Sequence, residues 1–316
     1  MRHKERKKVK NSCRAAGIIL FIMMAIFILP LASPSRAGEC QDRQSLHPEW
    51  IFCDDFEGSV SLTGQGRYFE YDDAGGAFTL AGGVGLDGSK GMRAVWQQGV
   101  TDAGSLKLGF GRNPSGGMNT GIRSTENFRE VYYRMYLRMQ DGWQGNPGKL
   151  SRATVITAGD WSQAMIAHLW NDDADHLLID PVRCVDSGGT VRCVGYNDFP
   201  NMVWLGSRSG VTPLFDAAHD NRWYCIEAHV RLNDSGQSNG VQEFWIDGSL
   251  EARRDALNFV GAYTAYGINA LFFENYWNAG SPQKQERYID NIVVSTMRIG
   301  CMDTTAPRPP VNVKAQ

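Results

Sequence analysis

Helical periodicity is almost absent from this chain once its N-terminal segment is passed. No stretch there repeats apolar residues with a period near 3.6, so a helical bundle is excluded, and without crossover helices a parallel βαβ sheet is excluded too. C-x-x-C spacing is also missing, which argues against cysteine-held zinc. Long apolar runs are missing as well. The longest runs from Gly17 to Leu31. A spanning helix needs more, on the order of ~20 residues. Gly83, Gly85 and Gly88 match a dinucleotide fingerprint only in letters, because no helix follows to receive a pyrophosphate.

What the N-terminus does contain is a secretion signal. A Lys/Arg-rich stretch precedes the apolar run, and Ser35-Arg36-Ala37 offers small residues for cleavage after Ala37. Residues 1–37 are therefore expected to be removed from an exported bacterial protein, extracellular or periplasmic, that keeps no membrane anchor after cleavage. Glu39 before Cys40 excludes a lipid-attachment motif. Cleavage takes away eight of the 32 basic residues and one of the 34 acidic ones, leaving 24 against 33, a net charge of −9. That balance excludes nucleic acid as a partner, since phosphate binding demands a basic footprint.

Short apolar alternations separated by Gly, Asn and Asp clusters fill residues 76–294. So many strands with turn signals between them predict one all-β domain over residues 38–302, a jelly-roll sandwich of two antiparallel sheets, expected to act as a monomer. Residues 303–316, DTTAPRPPVNVKAQ, read as a proline-rich tail or linker. Six cysteines stay in the exported chain, an even number. Disulfides are therefore expected, and sequence alone allows about 15 pairings. Cys40–Cys53, Cys184–Cys193 and Cys225–Cys301 are favoured, the first two because each closes a short loop. The segment VRCVDSGGTVRCV around Cys184 and Cys193 has the pattern of a hairpin.

Residues 131–139, VYYRMYLRM, alternate strictly. Val131, Tyr133, Met135, Leu137 and Met139 make a core face. Tyr132, Arg134, Tyr136 and Arg138 make a second face of rings and guanidinium groups, suited to a sugar chain bearing carboxylates. In an acidic protein those arginines stand out, and Arg134 is expected to point into a groove.

Several separated segments, FCDDFEG, RWYCIEAHVRLN followed by QEFWIDGSLEAR, and RYIDNIVVS, resemble the concanavalin A-like lectin/glucanase jelly roll. The order YYRMYLR, QAMIAHLW, LFFENYWNAG is most similar within it to secreted lyases of alginate, glucuronan and related uronic-acid polymers, and NPGKL resembles the G-K-L turn of some of them. The resemblance implies a polysaccharide partner and β-elimination. Arg134 would neutralise the carboxylate, His168 would take the C5 proton and Tyr276 would protonate the leaving oxygen. Tyr132, Tyr136, Arg138, Lys149, Gln163, Trp170 and Asn275 would contact substrate. Two departures stand: Ile166-Ala167-His168 replaces the usual Gln-Ile-His, and Glu274 stands where a Lys is expected. Asp55, Glu57 and Asp290 resemble the position where many such sandwiches hold a structural Ca²⁺ between first and last strands. The paired carboxylates that glucanases of the superfamily carry on one strand, E-x-D-x-E, do not occur, which places hydrolysis behind elimination. Non-catalytic carbohydrate binding and surface adhesion are the alternatives.

Overall fold

The computed structural model describes residues 38–302, apart from 59–60, 115–117, 119 and 173. The expected signal segment and tail lie outside the described residues. Among the described residues regular structure is almost all strand, with one four-residue α-helix, α1 (Arg43–Leu46), and two three-residue 3₁₀ turns, Leu86–Gly88 and Phe199–Asn201. In chain order the strands are β1 (Trp50–Asp54), β2 (Glu70–Asp72), β3 (Phe78–Ala81), β4 (Gly91–Trp96), β5 (Asp102–Gly109), β6 (Glu130–Met139), β7 (Lys149–Ile156) and β8 (Gln163–Asn171). They continue with β9 (His176–Arg183), β10 (Val203–Trp204), β11 (Arg208–Pro213), β12 (Tyr224–Arg231), β13 (Gly240–Ile246), β14 (Ser249–Leu257), β15 (Ala270–Tyr276) and β16 (Gln285–Ser295).

Two antiparallel eight-stranded sheets form. The first runs β14-β13-β12-β6-β16-β4-β3 with β1 on β16, and the second runs β10-β9-β8-β7-β15-β5-β2 with β11 on β9. The jelly-roll expectation is met, and the strand alternation explains why. Val131, Tyr133, Met135, Leu137 and Met139 of β6 bury against Met165, Ala167 and Leu169 of β8 and Leu271 and Phe273 of β15 in one core between the sheets. Burial of such rows is the dominant stabilising term.

Three polar links cross that core, and each grips a strand of the second sheet. Gln242 Nε2 of β13 donates to the His168 carbonyl of β8 at 2.7 Å. The Tyr133 and Ser151 hydroxyls share a hydrogen bond of 3.1 Å between β6 and β7. Arg287 Nη2 of β16 donates to the Glu274 carbonyl and to Asn275 Oδ1 of β15, both at 2.7 Å. Burial without a carboxylate partner brings the Arg287 guanidinium down to about 9.

The disulfides are Cys40–Cys53, Cys184–Cys193 and Cys225–Cys301, as expected from loop length and parity. The second closes a hairpin in which Val185 bridges Val191. Around Gly83, Gly85 and Gly88 the chain makes one short 3₁₀ turn and no helix, in line with the rejected nucleotide motif.

Candidate functional site

A cleft of about 880 Å³ opens on the outward face of the second sheet. Its floor is built in rows across the strands. In the first row Asp102 of β5 lies opposite Tyr276 of β15, Tyr276 opposite Lys149 of β7, and Lys149 opposite Trp170 of β8. In the second, Glu70 of β2 lies opposite Lys107, Lys107 opposite Phe272, Phe272 opposite Arg152, Arg152 opposite His168, and His168 opposite Asp180. Cross-strand neighbours project on the same side, so each row is a line of adjacent side chains.

The second row is roofed. Tyr196 lies over the Arg152 guanidinium at 4.3 Å from the ring centre, a cation–π contact. Trp161 packs on Phe272 at 5.9 Å between ring centres. Arg152 Nη2 donates to Glu274 Oε1 at 2.7 Å, the Tyr196 hydroxyl donates to the same oxygen at 2.6 Å, and Arg152 Nη1 donates to Asn197 Oδ1 at 3.1 Å. Burial works to raise the Glu274 carboxyl, but the charge of Arg152 and these two bonds outweigh it and hold Glu274 below the usual carboxylate range. Gln163 fixes the roof. Its amide donates to the Tyr196 carbonyl at 3.0 Å while its oxygen accepts from Thr154 Oγ1 at 2.8 Å, so it supports the loop from below.

His168 sits beneath two indoles, Trp170 at 3.9 Å and Trp204 at 5.8 Å between ring centres, and is 1% exposed. Burial, with the cations of Arg152 and Lys149 nearby, holds its imidazole well below the ordinary value. It is therefore neutral near pH 7. Its Nδ1 lies 3.1 Å from the Asp180 carbonyl. Because that oxygen only accepts, Nδ1 carries the proton and Nε2 keeps the lone pair. The Asp180 carboxyl is itself pushed up to about 6 by burial.

The first row is open. Lys149 Nζ lies 4.8 Å from the centre of the Tyr276 ring and 5.9 Å from that of Trp170, and it joins no ion pair among the described residues. Burial lowers its pKa, an effect Arg152 reinforces and Glu274 and Asp102 oppose. Phe199 and Trp204, 51% and 42% exposed, extend an aromatic rim beside it.

Of the expected contact residues, the fold brings Lys149, Trp170 and Tyr276 together here, with His168 beneath them. Asn275 contributes to the wall, but its amide faces inward, donating to the Gly104 carbonyl at 3.0 Å and accepting from Arg287. Arg134 is not brought to the cleft. It lies on the outward face of the other sheet, 1% exposed, where its guanidinium pairs with Glu39 and donates to the Gly300 carbonyl at 3.1 Å. Its neighbours lie on that same face. Tyr136 Oη accepts from the Met302 backbone at 2.6 Å, and Arg138 lies 4.5 Å over Tyr288 and donates to the Val84 carbonyl. Tyr132 stacks on His229 at 4.1 Å. The alternation assigned both faces of β6 correctly, but the polar face is capped by residues 39 and 297–302 instead of lining a groove. Glu227, His229 and Arg231 of β12 lie on this sheet too, and Glu227 accepts from the Ile299 and Gly300 backbones.

The carboxylates of Asp55, Glu57 and Asp290 all accept hydrogen bonds from the protein. Asp55 accepts from the Cys40 and Glu57 backbones, Glu57 from Lys90, and Asp290 from Leu86, Ser89 and Asn291. Among the described residues no group of three or more His, Cys, Asp or Glu side chains is gathered as metal ligands.

Sequence reasoning missed Arg152, Tyr196, Asp102, Trp161 and Trp204. Lys149 and Arg152 are three apart, an odd spacing that should put them on opposite faces. A bulge between Lys149 and Ser151 resets the register and aligns them. Two aromatics close in sequence, Phe199 just before β10 and Trp204 at its end, were the available signal for the rim.

No sequence-family profile matches this chain, and no curated protein matches it in sequence. Solved structures do share its fold. The marine PL-14 alginate lyase from Aplysia kurodai is similar at 12% identity and a TM-score of 0.52, over 78% of this chain and 99% of that one. A variant of the alginate lyase Aly36B in complex with alginate tetrasaccharide is similar at 12% identity and a TM-score of 0.50, over 79% of this chain and 98% of that one. At such identities the likeness is one of architecture: the chain is a jelly roll of the kind on which alginate lyases are built.

Proposed function

We propose that this is an exported protein that cleaves a uronic-acid-containing polysaccharide by β-elimination in the cleft of the second sheet. The observation that carries the reading is the open row: an ammonium group without an ion-pair partner among the described residues, Lys149, held between the rings of Tyr276 and Trp170. Three disulfides support an oxidising compartment. The alginate lyases that share the architecture support the reaction class.

In this reading the uronate carboxylate meets Lys149, whose charge offsets the negative charge that spreads onto the carboxylate when C5 loses its proton. The C5 proton passes by way of the Tyr276 hydroxyl, beside that ammonium. The C4–C5 double bond forms as the C4–O bond breaks, and the phenol returns the proton to the leaving oxygen. No water is consumed. Trp170 and Trp204 stack sugar faces. His168 fixes both indoles from below and stays neutral, so it adds no charge to compete with Lys149. Arg152 is committed to Glu274 and shapes the floor.

The test is the ultraviolet absorbance of the unsaturated product from a panel of uronic-acid polymers, with Lys149→Met and Tyr276→Phe alongside. Product from the parent protein and its loss in both variants is the expected result. Absence of product from every polymer refutes the proposal. A second reading, non-catalytic carbohydrate binding, draws on the exposed rim of Phe199 and Trp204; polymer retardation in a gel without product would establish it.

A further inference from the structure

We infer that the cleft is shaped for a heteropolysaccharide in which single uronate residues are separated by neutral sugars, rather than for a polymer with a carboxylate on every sugar. Its chemistry rests on the elimination reading above, whereas its charge argument concerns binding alone.

Among the described residues three cations stand in or under the cleft, and two are spent on the protein's own carboxylates. Arg152 is paired with Glu274 and covered by Tyr196, and Lys107 is paired with Glu70 while lying against Trp161 and Tyr196. Lys149 alone remains for a substrate carboxylate. Against it stand three exposed wall carboxylates, Asp72, Asp102 and Asp160, none in an ion pair among the described residues. Each accepts from a backbone N–H two residues further along the chain, that of Ala74, Gly104 and Ser162 respectively.

Their placement sets the pattern. Asp102 lies two strands from Lys149 in the open row. At the usual strand spacing that separation is roughly 10 Å. A polyuronate seated with one carboxylate on Lys149 brings the carboxylates of neighbouring sugars toward these walls, where like charges repel. A neutral sugar meets instead the rings of Trp170, Trp204 and Trp161 and the amide of Asn197, groups suited to hydroxyls and pyranose faces. The cleft thus offers one charge-accepting position flanked by positions that favour uncharged sugars.

Graded carboxyl reduction of alginate tests this, because it removes charge while keeping chain length and linkage. Affinity is measured at fixed ionic strength for intact, partly reduced and fully reduced alginate, with deacylated gellan, whose glucuronates are separated by neutral sugars, as a second probe. Binding is expected to pass through a maximum at partial reduction, at least roughly three-fold tighter than to intact alginate, the effect of like charges at ~10 Å in a partly solvated cleft. Asp102→Asn combined with Asp160→Asn is expected to narrow that gap by tightening binding to intact alginate. Tightest binding to intact alginate, or a ratio the double variant does not move, overturns the inference. Product formation is read separately. No unsaturated product from any probe, with the affinity order as expected, removes the elimination reading and leaves the charge pattern standing; product with the order reversed removes the charge pattern alone.

Discussion

Replacing Glu274 with Gln leaves the Arg152 guanidinium beneath Tyr196 with no counter-charge. Both partners are almost wholly buried, at 1% and 5% exposure, and Glu274 Oε1 is the acceptor for both Arg152 and the Tyr196 hydroxyl. Glutamine keeps an acceptor of nearly the same shape, so packing changes little and the lost term is electrostatic. Breaking a buried pair by neutralising one member costs about 3–5 kcal/mol, because the other charge stays desolvated. For a domain of this size that corresponds to a fall in Tm of roughly 6–20 °C. Removing both charges with Arg152→Met and Glu274→Leu should recover much of the loss, since a buried pair replaced by apolar groups is often close to neutral. The sign with pH is fixed as well. Glu274 is held below the usual carboxylate range. Its contribution is therefore fully present above the unfolded value near ~4.5 and disappears as pH falls through the lower folded value. The gap between parent and variant should persist at pH 5 and close in stronger acid. Circular dichroism melts of the three proteins across pH measure all of this. A single variant within about 2 °C of the parent at pH 7 would refute the account of Arg152 as a buried charge dependent on Glu274.

Other outcomes follow from the same geometry. Tyr276→Phe should lower kcat on a cleavable polymer by about 10²–10⁴-fold while melting close to the parent, read from product absorbance and a thermal scan. Because burial lowers the Lys149 pKa, activity that needs its ammonium should decline on the alkaline side below the ordinary lysine value, and Lys149→Arg should move that limb upward; a pH–rate profile checks both. Cys225–Cys301 closes a sequence separation of 76. Replacing both cysteines by Ser should cost about 4 kcal/mol on chain-entropy grounds and open residues 297–302 to proteases, followed by limited proteolysis. Burial pushes Asp290 up to about 7. The folded state therefore holds a proton there that the unfolded chain releases near ~4, and stability should fall as pH rises between those values. Asp290→Asn should flatten that slope in melts at matched ionic strength.

Much of the architecture was legible because period-two alternation is a direct image of burial. Val131 to Met139 and Phe272-Glu274-Tyr276 project as the alternation requires. Other strands were hidden by their surroundings. Strand β14, SLEARRDAL, is a charged edge with little to bury, and β9 carries Pro181, which reads against a strand although only its N–H is lost. Within the site, alternation could place Tyr276 and Trp170 but not Arg152, whose face depends on a bulge that no residue pattern announces. Nor could it separate an open polar face from one covered by distant chain. Arg134 and Lys149 are both cations beside tyrosines, and only the path of residues 39 and 300 makes one structural and the other available.

That same path has a practical consequence for attachment. Glu39 and Gly300 meet at Arg134, so the first and last described residues of the jelly roll lie side by side on the outward face of the first sheet. A support that grips the protein at residues 39 or 300 would hold it by the first sheet and leave the row from Asp102 to Trp170, on the second, uncovered.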